Sequence, residues 1–361
     1  MASDNPYKHF ESRAFWKPAV GSRNNLTINE LWHPKFRLSQ EDLVLTAGSC
    51  FAQHIGRALR QQRYNWYIAE PGPKAFTQSE RKRNQRFGYD VFSFRTGNIY
   101  TAALLKQWLQ WAIDPLSQST EVWQEEGAIY DPMRPAIEPD GFETMESFLA
   151  AREATLTAMR EGIEQAQVFV FTMGLTEGWE NAQTGDPYAM CPGTIAGEFD
   201  PEHHVFCNYT HARIKQDFED VLKLTRSINP DLKFLLTVSP VPLTATASGD
   251  HVLCASMASK STLRSVAHEL KAEHEFVDYF PSYEIISSPA YRGMFFEPNM
   301  REVSPKGVEH VMEHFFEGQA RWGAPKKVKR GKRDRVAAPP PPPQSEDDLV
   351  CEEAVLEAFG K

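Results

Sequence analysis

The chain has no apolar run approaching the ~18 residues that a membrane-spanning helix needs. Its first residues, Met1 to His9, are polar and lack the apolar stretch of a secretory signal. Cysteine is scarce: Cys50, Cys191, Cys207, Cys254 and Cys351 are widely spaced, and no Cys-x-x-Cys occurs. That spacing argues against a disulfide framework and against a structural zinc site. A soluble, cytoplasmic protein with reduced thiols is the expectation. A basic excess is also missing, since 39 Lys and Arg stand against 48 Asp and Glu, a net charge of -9. Nucleic acid is therefore not an expected partner. No Gly-x-Gly-x-x-Gly and no Walker loop is present, so no nucleotide cofactor is expected. No cofactor of any other kind, and no metal, is indicated.

What is present suits a large folded domain. Of 361 residues, 41% are hydrophobic, with 23 Phe and 8 Trp to fill a core. Residues 1–40 are polar and aromatic without a clear period and read as an arm. Short apolar runs at 43–47, 168–172, 233–238 and 276–280 read as buried strands. Helical spacing marks 51–62, 101–113, 144–165, 211–228, 256–274 and 305–322. Strands alternating with helices predict an α/β fold, with a mostly parallel sheet covered on both faces. After Ala324 the composition changes. A basic run at 326–335, prolines 339–343 and acids 346–348 read as a disordered tail with an extended spacer. Residues 349–359 could form a small docking helix for a protein partner. The domain boundaries expected from composition are 1–40, 41–323 and 324–361.

In open α/β sheets, ligands bind beyond the carboxyl ends of the strands. Those ends carry Gly48-Ser49-Cys50, Gly174-Leu175-Thr176-Glu177, Ser239-Pro240 and Pro281 to Glu284. Ser49 stands where a strand turns into a helix, and Gly48 permits a tight turn. A helix N-terminus favours negative charge and suits a serine nucleophile. The same position equally suits a helix-capping serine. Cys50 is a rival nucleophile for the same electrostatic reason, or simply a small buried residue.

The run Gly48-Ser49-Cys50-Phe51-Ala52 resembles the signature of the GSCFA family, which is similar to SGNH/GDSL esterases and polysaccharide acyl-esterases. Further blocks stand in the family's order. They are Phe94 to Ala102, Met173 to Glu177, Thr237 to Val241, Ser259-Lys260 and Tyr279 to Ile285. The resemblance covers about residues 38–320. It implies a three-layer, flavodoxin-like sandwich of the SGNH-hydrolase type. It also implies Ser49 attack on an acyl carbonyl, with an acyl-enzyme resolved by water or a hydroxyl. The implied substrate is a carbohydrate, a glycan precursor or another acylated small molecule.

Under that resemblance, oxyanion donors are sought at the backbone of Ser49 or Cys50 and at Gly97-Asn98. Asn98 is otherwise a turn residue. Gly174, Thr176 and Glu177 stand where the superfamily has a Gly-x-Asn block, so the asparagine is missing. Glu177 is otherwise a carboxylate in a helix first turn. The base is also displaced. Against an Asp-x-x-His pattern, Asn299 replaces the aspartate and Glu302 the histidine. His251, in the loop after a strand and next to Asp250, becomes the candidate base. Glu302 is a second candidate, and His203 or His204 could line the site. His54 reads as a helix-surface residue. His310 and His314 read as facing solvent or core, with no third metal ligand at a telling position. The competing reading is a binding or scaffold protein that kept the fold and lost its base.

Overall fold

The computed structural model describes residues 5–73, 75, 77, 84–322 and 351–360. The basic, proline and acidic runs of the tail lie outside the described residues.

Strand β1 (Val44–Gly48) leads through Ser49 and Cys50 into helix α1 (Phe51–Gln61). Helix α2 (Ala102–Ile113) is capped by the Thr101 hydroxyl. A hairpin of β2 (Trp123–Glu125) and β3 (Ala128–Tyr130) precedes α3 (Met145–Gln165). Thr144 and Ser147 form a capping box at the start of α3. Then come β4 (Val168–Met173), β5 (Glu177–Asn181), β6 (Pro187–Tyr188), β7 (His204–Asn208) and α4 (His211–Ile228). Strand β8 (Lys233–Val238), α5 (Val252–Glu273) and β9 (Val277–Tyr279) follow. Helices α6 (Ser282–Ser287) and α7 (Pro305–Arg321) complete the main run.

The four strands expected from sequence form one parallel sheet in the order β1-β4-β8-β9. Every residue of β1, β4 and β9 is buried. A strand buried at consecutive positions must be covered on both faces, because successive side chains alternate. The flanking helices supply that cover, which makes the fold α/β.

A second sheet, β6-β5-β7, is antiparallel and was not expected. β6 has only two residues, and β5 and β7 are short and half-buried, so neither apolar runs nor clean alternation announce them. Helix α5 also starts earlier than its apolar spacing suggests, because His251 caps it.

Contacts divide the chain into two compact units. One holds the described residues of Leu38–Tyr279 and Leu349–Lys361. It contains the parallel sheet. The other holds those of Met1–Arg37 and Phe280–Asp348. In that unit Trp32 stacks on Phe315 at 5.3 Å and meets Phe280 edge-on at 5.0 Å. The boundaries 1–40, 41–323 and 324–361 are thus boundaries of composition rather than of contact. Cys351 to Gly360 is ordered, with a 3-10 helix at Glu352–Phe359, so the tail is not disordered throughout.

Candidate active site

The site is built on the turn after β1. Gly48 has φ +129°, and a Cβ there would sit 2.4 Å from the Thr172 carbonyl oxygen. Only glycine lets the chain pass so close to β4. The Ser49 N–H donates to that same Thr172 oxygen at 3.0 Å. The Ser49 amide is therefore committed to the sheet and is no oxyanion donor, contrary to one expectation from sequence. The chain then enters α1, where the N-cap position belongs to Cys50. Ser49 is 2% exposed, and its Oγ has no hydrogen-bond partner among the described residues. A capping serine would spend its hydroxyl on a helix N–H. This one does not. Cys50 is buried as well.

The segment 93–99 runs beside β1. The Ser93 N–H donates to the Thr46 carbonyl at 3.2 Å, and the Ser93 Oγ accepts from the Thr46 N–H at 2.9 Å. Further on, the Ile99 N–H donates to the Gly48 carbonyl at 2.9 Å. That bond brings Asn98 next to the turn at Gly48 to Cys50. Buried charges hold the segment in place. The Arg95 N–H donates to Glu70, and the Arg95 carbonyl accepts from Arg134 at 2.6 Å. Arg134 is fully buried and pairs with Asp131, which also takes Arg152 at 2.6 Å. Burial alone would raise the Asp131 carboxyl, but the two guanidinium groups hold it below the usual carboxylate range.

Gly97, with φ +67°, leaves a gap where a Cβ would be. A carboxyl oxygen of Glu352 fills it, 2.7 Å from that position. Glu352 accepts hydrogen bonds from both the backbone N–H and the side-chain amide of Asn98. Burial and the neighbouring Cys351 push the Glu352 carboxyl up to about 8 against those two bonds. The turn-residue reading of Asn98 thus does not describe it, because its amide and N–H converge on one acceptor.

The block after β4 is spent on structure. The Gly174 N–H donates to the Tyr100 carbonyl, and the Gly174 carbonyl accepts from buried Lys260 at 2.7 Å. The Thr176 N–H donates to Ser259, and its hydroxyl donates to Asn208 at 2.8 Å. Neither Gly174 nor Thr176 has a donor left for an oxyanion. Glu177 opens β5 rather than a helix, because its neighbours pair with β7. Its carboxylate accepts from the Thr246 hydroxyl at 2.7 Å and the Ala247 N–H at 3.2 Å. It staples the loop between β8 and α5. Tyr100, Leu175, Trp179, Tyr188, Phe206 and Leu243 line a mainly apolar cavity of about 230 Å³ beneath that loop. Glu353 and Leu356 of the C-terminal helix complete its wall.

Among the described residues, no histidine hydrogen-bonds Ser49. His251 is exposed and caps α5, its Nδ1 accepting from the Leu253 N–H at 3.2 Å. His54 is buried rather than on the helix surface, packed edge-on against Phe51. Burial lowers it to about 3, too acidic to serve as a base near neutrality. His203 pairs with Asp200, and the His204 ring accepts from the Asp200 N–H. Glu302, His310 and His314 belong to the other unit. There Glu302 is exposed and its N–H donates to the Asn299 side chain. His310 and His314 are buried, with their Nε2 atoms 3.3 Å apart. Sequence reasoning missed Glu352, whose only signal was an acidic pair beside apolar residues near the chain end.

The sequence profile described as the GSCFA family matches residues 43–315. The chain belongs to the GSCFA family. A candidate GDSL-like lipase from Parabacteroides merdae ATCC 43184 is similar in structure at 11% identity, with a TM-score of 0.31. The likeness covers 80% of this chain and 99% of that one. No curated protein sequence matches the chain. Within this GSCFA protein, the family's name-giving serine is a buried hydroxyl at the sheet's carboxyl edge without a hydrogen-bond partner among the described residues, as is the Thr172 hydroxyl on the neighbouring strand. No helix among the described residues is long and apolar enough to cross a membrane.

Proposed function

We propose that this GSCFA protein is a serine-dependent O-acyl esterase or acyltransferase acting on a carbohydrate or glycan precursor. The unbonded, buried Oγ of Ser49 at the strand-to-helix turn carries the reading. In the first step Oγ bonds to the acyl carbon, and its proton passes to His251 and on to the leaving alkoxide. Water or an acceptor hydroxyl then attacks the acyl-enzyme and releases Ser49. The Asn98 N–H and amide bind the developing oxyanion, which supports the geometry because both already converge on an oxygen. His251 stands at the end of the loop that Glu177 staples over the cavity. The faces of Trp179, Tyr188 and Phe206 offer surface to an acyl chain or to the C–H face of a sugar. A reducing, cytoplasmic setting suits five free thiols.

A fluorophosphonate probe and p-nitrophenyl acetate test this. Wild-type protein should label and turn over, and Ser49→Ala should do neither. Undiminished turnover in His251→Ala would remove His251 as the base. The second reading is a binding protein that lacks a base. The absence of any histidine bonded to Ser49 favours it. Silence of the wild-type protein toward both reagents from pH 6 to 9 would select it.

A further inference from the structure

We propose that the C-terminal segment Cys351–Phe359 is an intramolecular ligand of the Ser49 site, with Glu352 in the place of the substrate's acyl oxygen. Its effect on activity rests on the reading of Ser49 as nucleophile; its docking does not.

Four observations converge. Glu352 and Glu353 are 5% and 7% exposed, although they are adjacent acids in a short helix near the chain end. Acidic side chains are rarely buried so fully without a specific partner. The partner here is Asn98, through both of its donors, in the gap that Gly97 leaves. The Ser49, Gly174 and Thr176 amides, by contrast, are all engaged elsewhere. The Glu353 N–H meets the Tyr100 hydroxyl at 3.4 Å, and Glu353 and Leu356 wall the apolar cavity. The segment therefore occupies the polar and the apolar part of one site together. A carboxyl bound through one oxygen by two N–H donors copies the carbonyl end of an ester or the carboxylic product.

The consequence is a competitor tethered to its own site. Tethering gives the segment an effective concentration on the order of millimolar. An external substrate must meet the fraction of molecules in which the segment is released, and its apparent affinity is reduced by that fraction. A protein partner that captured the tail would open the site.

The test uses the full chain. Amide hydrogen exchange across 351–359 is followed in wild type, Glu352→Ala and Leu356→Asp, together with the rate of fluorophosphonate labelling at Ser49. Wild type should protect these amides, and both variants should lose the protection. Labelling in the variants should rise about tenfold or more. A synthetic peptide of residues 349–360, added at about 1 mM, should slow labelling again in Glu352→Ala. Exchange in wild type as fast as in the free peptide, with equal labelling in all three proteins, would overturn the proposal. If Ser49 never labels in any of them, the nucleophile reading fails. The docking proposal is then judged by exchange and by anisotropy of a fluorescent peptide on Glu352→Ala, and absence of both protection and binding ends it.

Discussion

At the residue scale, the site rests on a division of labour between neighbours. Gly48 makes the close pass against Thr172, the Ser49 amide closes onto the sheet, and the Ser49 hydroxyl is left over. Each follows from local chemistry, so Gly48 and Ser49 were legible in sequence. Asn98 was only half legible. Its residue type suited an oxyanion donor, yet its placement depends on Ile99 bonding to Gly48, a contact that no local pattern encodes. If Asn98 binds the oxyanion, Asn98→Ala should lower kcat about 100-fold or more and change KM little. The measurement belongs in the Glu352→Ala background, where loss of the tail's own anchor does not confuse the result. A loss confined to KM would instead make Asn98 a ground-state binding residue. Thr176 and Glu177 show the reverse case. Their types suggested site chemistry, while their partners Asn208, Ser259 and Thr246 make them structural.

At the element scale, the C-terminal helix links the site to pH. The docked Glu352 carboxyl stands at about 8, against an ordinary value of 4.5. Docking therefore takes up a proton between those values. The docked state is favoured most below pH 4.5, weakens by up to about tenfold per unit as pH rises through the window, and levels off above 8. The titratable groups around it are Cys351 and Glu353 on its own segment, Tyr100 and Cys50 in the site, and Arg134 behind Gly97. Amide protection across 351–359 should thus fall from pH 5 to pH 8, and Glu352→Gln should flatten the dependence. A pH-independent wild type would contradict the buried carboxyl. The antiparallel sheet β6-β5-β7, like the β2-β3 hairpin, was not announced by the sequence. Glu180 of β5 accepts from Tyr209 and Arg213, Glu177 accepts from Thr246 and Ala247, and Thr176 just before β5 donates to Asn208 of β7. Polar pairing of that kind leaves no hydrophobic period to read.

At the scale of the whole molecule, the sheet-bearing unit is pinned by a buried ion cluster as well as by its apolar core. Asp131 holds Arg134 and Arg152, all three nearly inaccessible, and Arg134 reaches on to Arg95 and Thr155. Removing one charge from such a set leaves the others unpaired in a poorly solvating interior. Asp131→Asn should destabilise folding by about 3 kcal/mol, read from the urea midpoint at constant m-value. A change below about 0.5 kcal/mol would mean that the cluster contributes nothing beyond neutral packing. The sequence by itself determined the four parallel strands, most helix limits and the strand-to-helix turn at Gly48 to Cys50. These depend on periods, glycine and caps that act within a few residues. Only the tertiary structure decided that the Ser49, Gly174 and Thr176 amides are engaged, and that Glu352, more than 300 residues after Ser49, fills the place beside Asn98. A donor's availability depends on every partner that folding brings within hydrogen-bond reach, and the order of residues along the chain does not contain that count.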